Sequence, residues 1–185
     1  MYDDAVQTLC AAVDLDPSDP KPFEFLGKVS KASPQYVPEI RRRLEGFVRL
    51  YPENGPANYY YAMSLWQSTE GSSQPDFAKI EGLLQKAISM QPDNYEPHFR
   101  LGILYQHELK YQDAILEFNR TLSLRHDING AHYRLAIIYS RTHQKQLADE
   151  QFAILKQLKQ QDIEAEELEN HAGNRTTNQA VDKPN

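Results

Sequence analysis

Residues Tyr95–Ile128 constrain the fold of this chain more than any other stretch. They read YEPHFRLGILYQHELKYQDAILEFNRTLSLRHDI, two short amphipathic helices joined by a tight turn at Leu109–Lys110. In the first helix Phe99, Ile103 and Gln106 share one face, while His98, Leu101, Leu104 and Tyr105 lie on others. A helix that is apolar on several sides must meet neighbours on several sides. In the second helix Tyr111, Ala114, Ile115, Phe118, Leu122 and Leu124 recur at steps of three and four residues, the helical period. The pattern returns 34 residues later: Leu101-Gly102 becomes Leu135-Ala136, Tyr105 becomes Tyr139, Ala114 becomes Ala148 and Phe118 becomes Phe152. A fixed period of this size is the mark of a helical array in which one hairpin cannot bury its own apolar faces and must stack on the next.

The rest of the chain divides on the same register. Residues 1–19 read as a half-unit, a second helix without a first, in which Ala5, Leu9, Ala12 and Leu15 align with Ala114, Phe118, Thr121 and Leu124. Such a half-unit serves either as an end cap or as the broken edge of a longer array, and the second is the expectation here. Residues 20–54 form a first full unit, with Leu26-Gly27 in the place of Leu101-Gly102 and Pro34 and Pro38 bracketing its turn. Residues 55–94 form a second unit with Ala62 at the small position and a turn insertion at 68–75, STEGSSQP, rich in loop-forming residues. Residues 95–128 and 129–160 are the third and fourth units. Residues 161–170 extend the last helix as a polar cap, and 171–185, nearly devoid of apolar residues, are expected to be disordered.

Composition excludes several function classes. The chain has 185 residues, a formal net charge of −6 and a mean hydropathy of −0.69, which point to a soluble chain without a general affinity for nucleic acid. No apolar run reaches the 18 or so residues of a membrane span, so no membrane insertion is expected. Met1 is followed by Asp3 and Asp4 instead of a basic and then apolar leader, so the default location is cytoplasmic. Cys10 is the single cysteine and reads as inert packing. Arg41, Arg42 and Arg43 read as a solvated helix face or a site for an acidic partner. His98 and His132 occupy equivalent places and read as replacements for packing aromatics, not as a metal pair. There is no HExxH, no CxxC and no phosphate-cradling glycine loop, so neither catalysis nor a cofactor is expected.

The unit built on Leu101-Gly102, Tyr105, Ala114 and Phe118 resembles the tetratricopeptide repeat, over roughly residues 2–160. His98 and His132 stand where that family usually opens its first helix with an aromatic, and His126 stands in place of the closing proline. The resemblance implies an all-α, right-handed α-solenoid whose first helices line a concave groove for a peptide or protein segment. Carried onto this sequence, the groove would take Glu24, Lys28 and Lys31 from the first unit and Tyr59, Met63 and Trp66 from the second. It would take Phe99, Ile103 and Gln106 from the third and Tyr133, Ile137 and Ser140 from the fourth. Trp66, close to the insertion, is expected to be exposed. Arg100 and Arg134, one period apart, and Arg141 would offer guanidinium groups to an acidic side chain or a free carboxylate. Some members of the family grip chaperone tails with Lys, Asn, Asn, Lys and Arg. The matching places here are Glu24, Lys28, Tyr60, Glu96 and Arg100, of which only the arginine agrees, so that activity is not expected. Two readings follow: a non-catalytic interaction module using the groove, or a structural, self-associating piece of a longer array.

Overall fold

Two residues in the left-handed backbone region set the register of the hairpins: Leu109 at φ 61° and His143 at φ 59°, one period apart. Each closes the turn between a 13-residue helix and the helix that follows. The computed structural model describes residues 2–16, 19, 21–29, 34–67 and 76–179. Lys31, the expected insertion at 68–75 and the end of the chain from residue 180 lie outside the described residues.

Among the described residues there are nine α-helices, one 3-10 turn at Pro34–Tyr36 and no strand. In order the helices are α1 (Tyr2–Leu15), α2 (Lys21–Val29), α3 (Val37–Leu50), α4 (Gly55–Gln67), α5 (Phe77–Met90), α6 (Tyr95–His107), α7 (Tyr111–Leu124), α8 (Asn129–Arg141) and α9 (Lys145–Gln179). Local sequence explains where they start. Asn54 caps α4 by accepting from the Ala57 amide at 2.9 Å, Asp76 caps α5 from Lys79 at 3.0 Å, and Asn94 caps α6 from Glu96 at 3.1 Å. Pro38 sits in the first turn of α3, where its missing N–H costs nothing.

The chain forms two compact units, Met1–Leu124 and Arg125–Asn185. In the first, α1 packs on α2, α2 on α4, and α3 to α7 each on the next. The core runs through Phe23, Leu26, Ile40, Leu44, Ile80, Leu84, Leu101 and Leu104, all buried. In the second, α8 packs on the start of α9 over Ala131, Leu135, Ala136, Ile138 and Ala148.

One buried polar position recurs. Asn58, His98 and His132 are all buried near the start of a first helix. Asn58 donates to the carbonyl of Pro52 at 2.9 Å, and His132 Nε2 donates to that of His126 at 3.0 Å, each six residues upstream. His98 Nδ1 lies 2.7 Å from Glu117 Oε2, and His132 Nδ1 lies 2.7 Å from Gln151 Oε1, each 19 residues downstream on the second helix. These side chains tie hairpin to preceding turn and first helix to second helix. They are packing residues with polar tips, which suits the reading of the histidines as replacements for an aromatic.

Four details depart from the sequence reading. In α1 the buried stripe is Val6 and Val13, flanked by Leu9 and Cys10, while Leu15 is 88% exposed, so the alignment of Leu15 with Leu124 does not describe its packing. Gly27 and Gly102 serve different neighbours. A Cβ on Gly102 would lie 2.8 Å from the ring of Phe118 in its own hairpin, whereas a Cβ on Gly27 would lie 2.2 Å from Tyr60 of α4. Phe152 does not repeat Phe118: it is 41% exposed. Its hairpin carries Ala136 where the other carries Gly102, against whose bare backbone Phe118 packs. Finally, α9 continues to Gln179, beyond Asn170 and into the segment expected to be disordered. No proline interrupts Lys145–Lys183, and Gly173 alone weakens a helix without ending it.

Candidate functional site

The bare backbone of Gly27 lets Tyr60 pack directly against α2, and beside it lies a cavity. It measures about 350 Å³ and is lined by Gly27, Lys28, Tyr59, Tyr60, Met63, Gln67 and Glu96. Three helices meet there: α2 supplies an exposed ammonium at Lys28, α4 the aromatic and thioether floor, and α6 the carboxylate of Glu96. Opposite charges therefore flank an apolar strip.

Tyr59 and Tyr60 meet edge to face, with ring centroids 5.2 Å apart. Burial pushes the Tyr60 phenol up to about 12, helped by the nearby carboxylates of Glu96 and Glu24. Burial also raises the Tyr59 phenol, again with Glu96, while a hydrogen bond and the charge of Arg100 pull it back. Both phenols stay protonated at neutral pH and can donate a hydrogen bond. The Arg100 guanidinium thus lies near Tyr59, and 5.8 Å from the centroid of the Phe99 ring.

Of the residues read as groove-lining, Lys28, Tyr59 and Met63 come together in this cavity. Tyr59 does so from a buried position, as part of the wall and not as an exposed ring. Trp66 is not exposed as expected. It is partly buried, with its ring 6.1 Å from Phe77 and 6.3 Å from His107, so the α4–α5 packing takes it. Phe99 is partly buried and leans on Phe118 at 5.9 Å, with Ile103 and Gln106 partly buried along the same helix. Glu24 is partly buried near Tyr60. In the second unit Tyr133, Ser140 and Arg141 are exposed, and Arg134 and Ile137 are partly buried on α8. Ser140 turns its hydroxyl back to the Ala136 carbonyl at 2.8 Å. Face periodicity alone does not single out Tyr60, Gln67 or Glu96 as lining residues. The signal that finds Tyr60 is the glycine it packs against.

Among the described residues no group of three or more His, Cys, Asp or Glu side chains is placed to hold a metal ion. None of the described helices is long and apolar enough to cross a membrane.

Residues 83–116 match the family model of the tetratricopeptide repeat, a stretch that runs from the middle of α5 through α6 into α7. No curated protein matches the sequence significantly. Among solved structures, the chain is similar to a crystal structure of MamA, with a TM-score of 0.74 and 18% identity over 88% of this chain and 91% of that one. It is similar also to MamA, residue 41 to the end, from Desulfovibrio magneticus RS-1, with a TM-score of 0.71 and 16% identity over 86% of each chain. MamA of AMB-1 aligns with a TM-score of 0.67 and 23% identity over 86% of this chain and 83% of that one. One stretch, residues 83–116, matches the tetratricopeptide repeat, and the solved structures share the fold, which is all-α and built of helix–turn–helix units of the tetratricopeptide-repeat type.

Proposed function

We propose that this protein is a non-catalytic interaction module that holds an extended segment of a partner protein across α2, α4 and α6. The observation that carries the reading is the cavity between those helices, with Lys28 and Glu96 on opposite sides of a Tyr60–Met63 floor. The match of residues 83–116 to a repeat and the helical-repeat fold support it. Lys28, exposed beside the Phe25 ring, offers its ammonium to an acidic group or a free carboxylate of the partner, and Arg100 adds positive charge near Tyr59. Trp66 is the only tryptophan and lies one turn from Met63, so its fluorescence reports on the cavity. Partners recovered by affinity capture and cut into overlapping peptides should change that fluorescence saturably. Lys28→Glu and Met63→Ala should weaken the response at least fivefold while melting temperatures hold. Peptides that bind both variants as they bind the wild type would end this reading.

A second reading, self-association, draws on residues 159–165 of α9, which are all exposed and include the apolar Ile163. Sedimentation across a concentration series tests it: a monomer at every concentration would exclude it.

A further inference from the structure

A second groove lies away from that cavity, where α1, α2 and α3 meet. Its volume is about 320 Å³. The floor is apolar: Val13 from α1, and Phe23 and Phe47, whose rings stand 4.0 Å apart. One lip is Leu50, 65% exposed. Gly46 also lines it, and a Cβ built there would meet nothing within 4 Å. A glycine inside a helix weakens that helix. At Gly102 close packing explains it, but inside this fold nothing near Gly46 requires it. Gly82 shares the open space and lines none of the described cavities, so the informative fact is the coincidence of a bare glycine with an apolar floor.

The rim is charged in a particular way. Arg43 is bound by Asp14 and Glu39, and Arg42 pairs with Glu39 at 2.9 Å. Three guanidiniums, Arg42, Arg43 and Arg49, stand against two carboxylates at this rim, which leaves one positive charge in a chain whose net charge is −6. The arginine outside these pairs is Arg49, exposed and adjacent to Leu50.

We propose that this groove is a second docking site, for a protein segment that carries a bulky apolar side chain flanked by carboxylates. The apolar side chain enters over Phe23 and Phe47. The segment's backbone passes close to α3 at Gly46, where any side chain would stand in its way. A carboxylate meets Arg49, with the planar, two-pronged geometry that a guanidinium offers.

The test uses the whole chain and a short fluorescein-labelled peptide with Leu-Phe at its centre and Asp and Glu on both sides. Its control is the same peptide with Lys for every acid. The acidic peptide should bind saturably by fluorescence anisotropy and the basic one should not. Gly46→Leu places a side chain in the groove from a position whose Cβ meets nothing within 4 Å. It should weaken binding at least tenfold with a melting temperature equal to or above the wild type. Arg49→Glu should weaken binding at least fivefold. Lys28→Glu, which acts on the other cavity, should leave it unchanged and so separates the two sites. Wild-type affinity in Gly46→Leu, equal binding of both peptides, or no saturable binding of either would overturn the proposal. So would phosphatidylserine vesicles that sediment with the wild type and not with Gly46→Leu, since the occupant would then be a lipid surface. A loss of self-association in Gly46→Leu without peptide binding would assign the groove to a second copy and overturn it equally.

Discussion

At the scale of the residue, the small positions are the sharpest determinants. Gly102 has no room for even one carbon beside Phe118, so Gly102→Leu must displace that ring from the core. We expect a loss of about 1–3 kcal/mol, the usual range for overpacking, read from chemical denaturation. An unchanged midpoint would show that Phe118 does not pack where it is placed. Much of this was legible in the sequence, because a glycine at a fixed place in a repeat announces a close approach. The partner of that approach was not. Gly27 and Gly102 align perfectly, yet one meets Tyr60 of another hairpin and the other Phe118 of its own. The same limit explains Tyr59 and Trp66. Spacing of i, i+4 and i+7 puts residues on one face of a helix. It does not say how much of that face a neighbour covers, and in α4 neighbours cover Tyr59 and reach Trp66 at the other end.

At the scale of the element, the turns and the helix pairs carry the argument. Leu109 is exposed and held at φ 61°, a region that costs a branched side chain roughly 1–2 kcal/mol. Leu109→Gly gives up little burial and relieves that strain, against a more flexible unfolded chain. The net expectation is a gain of up to about 1 kcal/mol, measured as a higher melting temperature. A fall would mean that Leu109 makes contacts worth more than its strain. Between α1 and α3, Arg43 donates to Asp14, to Glu39 and to the Cys10 carbonyl. Arg43 holds the Asp14 carboxyl below its ordinary value of 3.8, and Arg42 first, with Arg43 beside it, holds that of Glu39 below 4.5. The cluster therefore contributes stability that is fully present above those values and is lost as pH falls through the lower folded values. Melting curves of the wild type and Arg43→Met should differ at neutral pH and converge as pH drops below about 4. A gap that stays constant well below that pH, past the lowered folded values, would remove the carboxylates from the account. The three-arginine run was visible in the sequence. Its division into two engaged arginines, Arg42 and Arg43, was not, since Asp14 lies 29 residues away on another helix.

At the scale of the whole molecule, the two units differ in what they bury. The first has a core of large side chains, from Phe23 to Leu104; the second rests on Leu135, Ile138 and alanines at 131, 136 and 148. Stability in a repeat array is close to a sum of local terms, so openings need not involve the whole chain. Hydrogen exchange should show α8 and α9 opening at lower free energy than α5 and α6. Uniform protection across all four would mean a single cooperative block. The repeat architecture was legible because its period is long and regular. The true length of α9 was not, because polar composition says nothing against a helix that lacks a proline. One consequence reaches beyond folding. Gly102 lies against a buried Phe118 in one hairpin, while the next has Ala136 at that place and an exposed Phe152. A gene rearrangement that joined the first helix of one hairpin to the second helix of the other would set a methyl group against a buried ring. Recombination inside the hairpins of Gly102 and Ala136 is therefore penalised, while Gly27 and Tyr60 set the same penalty between the first two hairpins, so the segments that this sequence can exchange are bounded by where each small residue finds its ring.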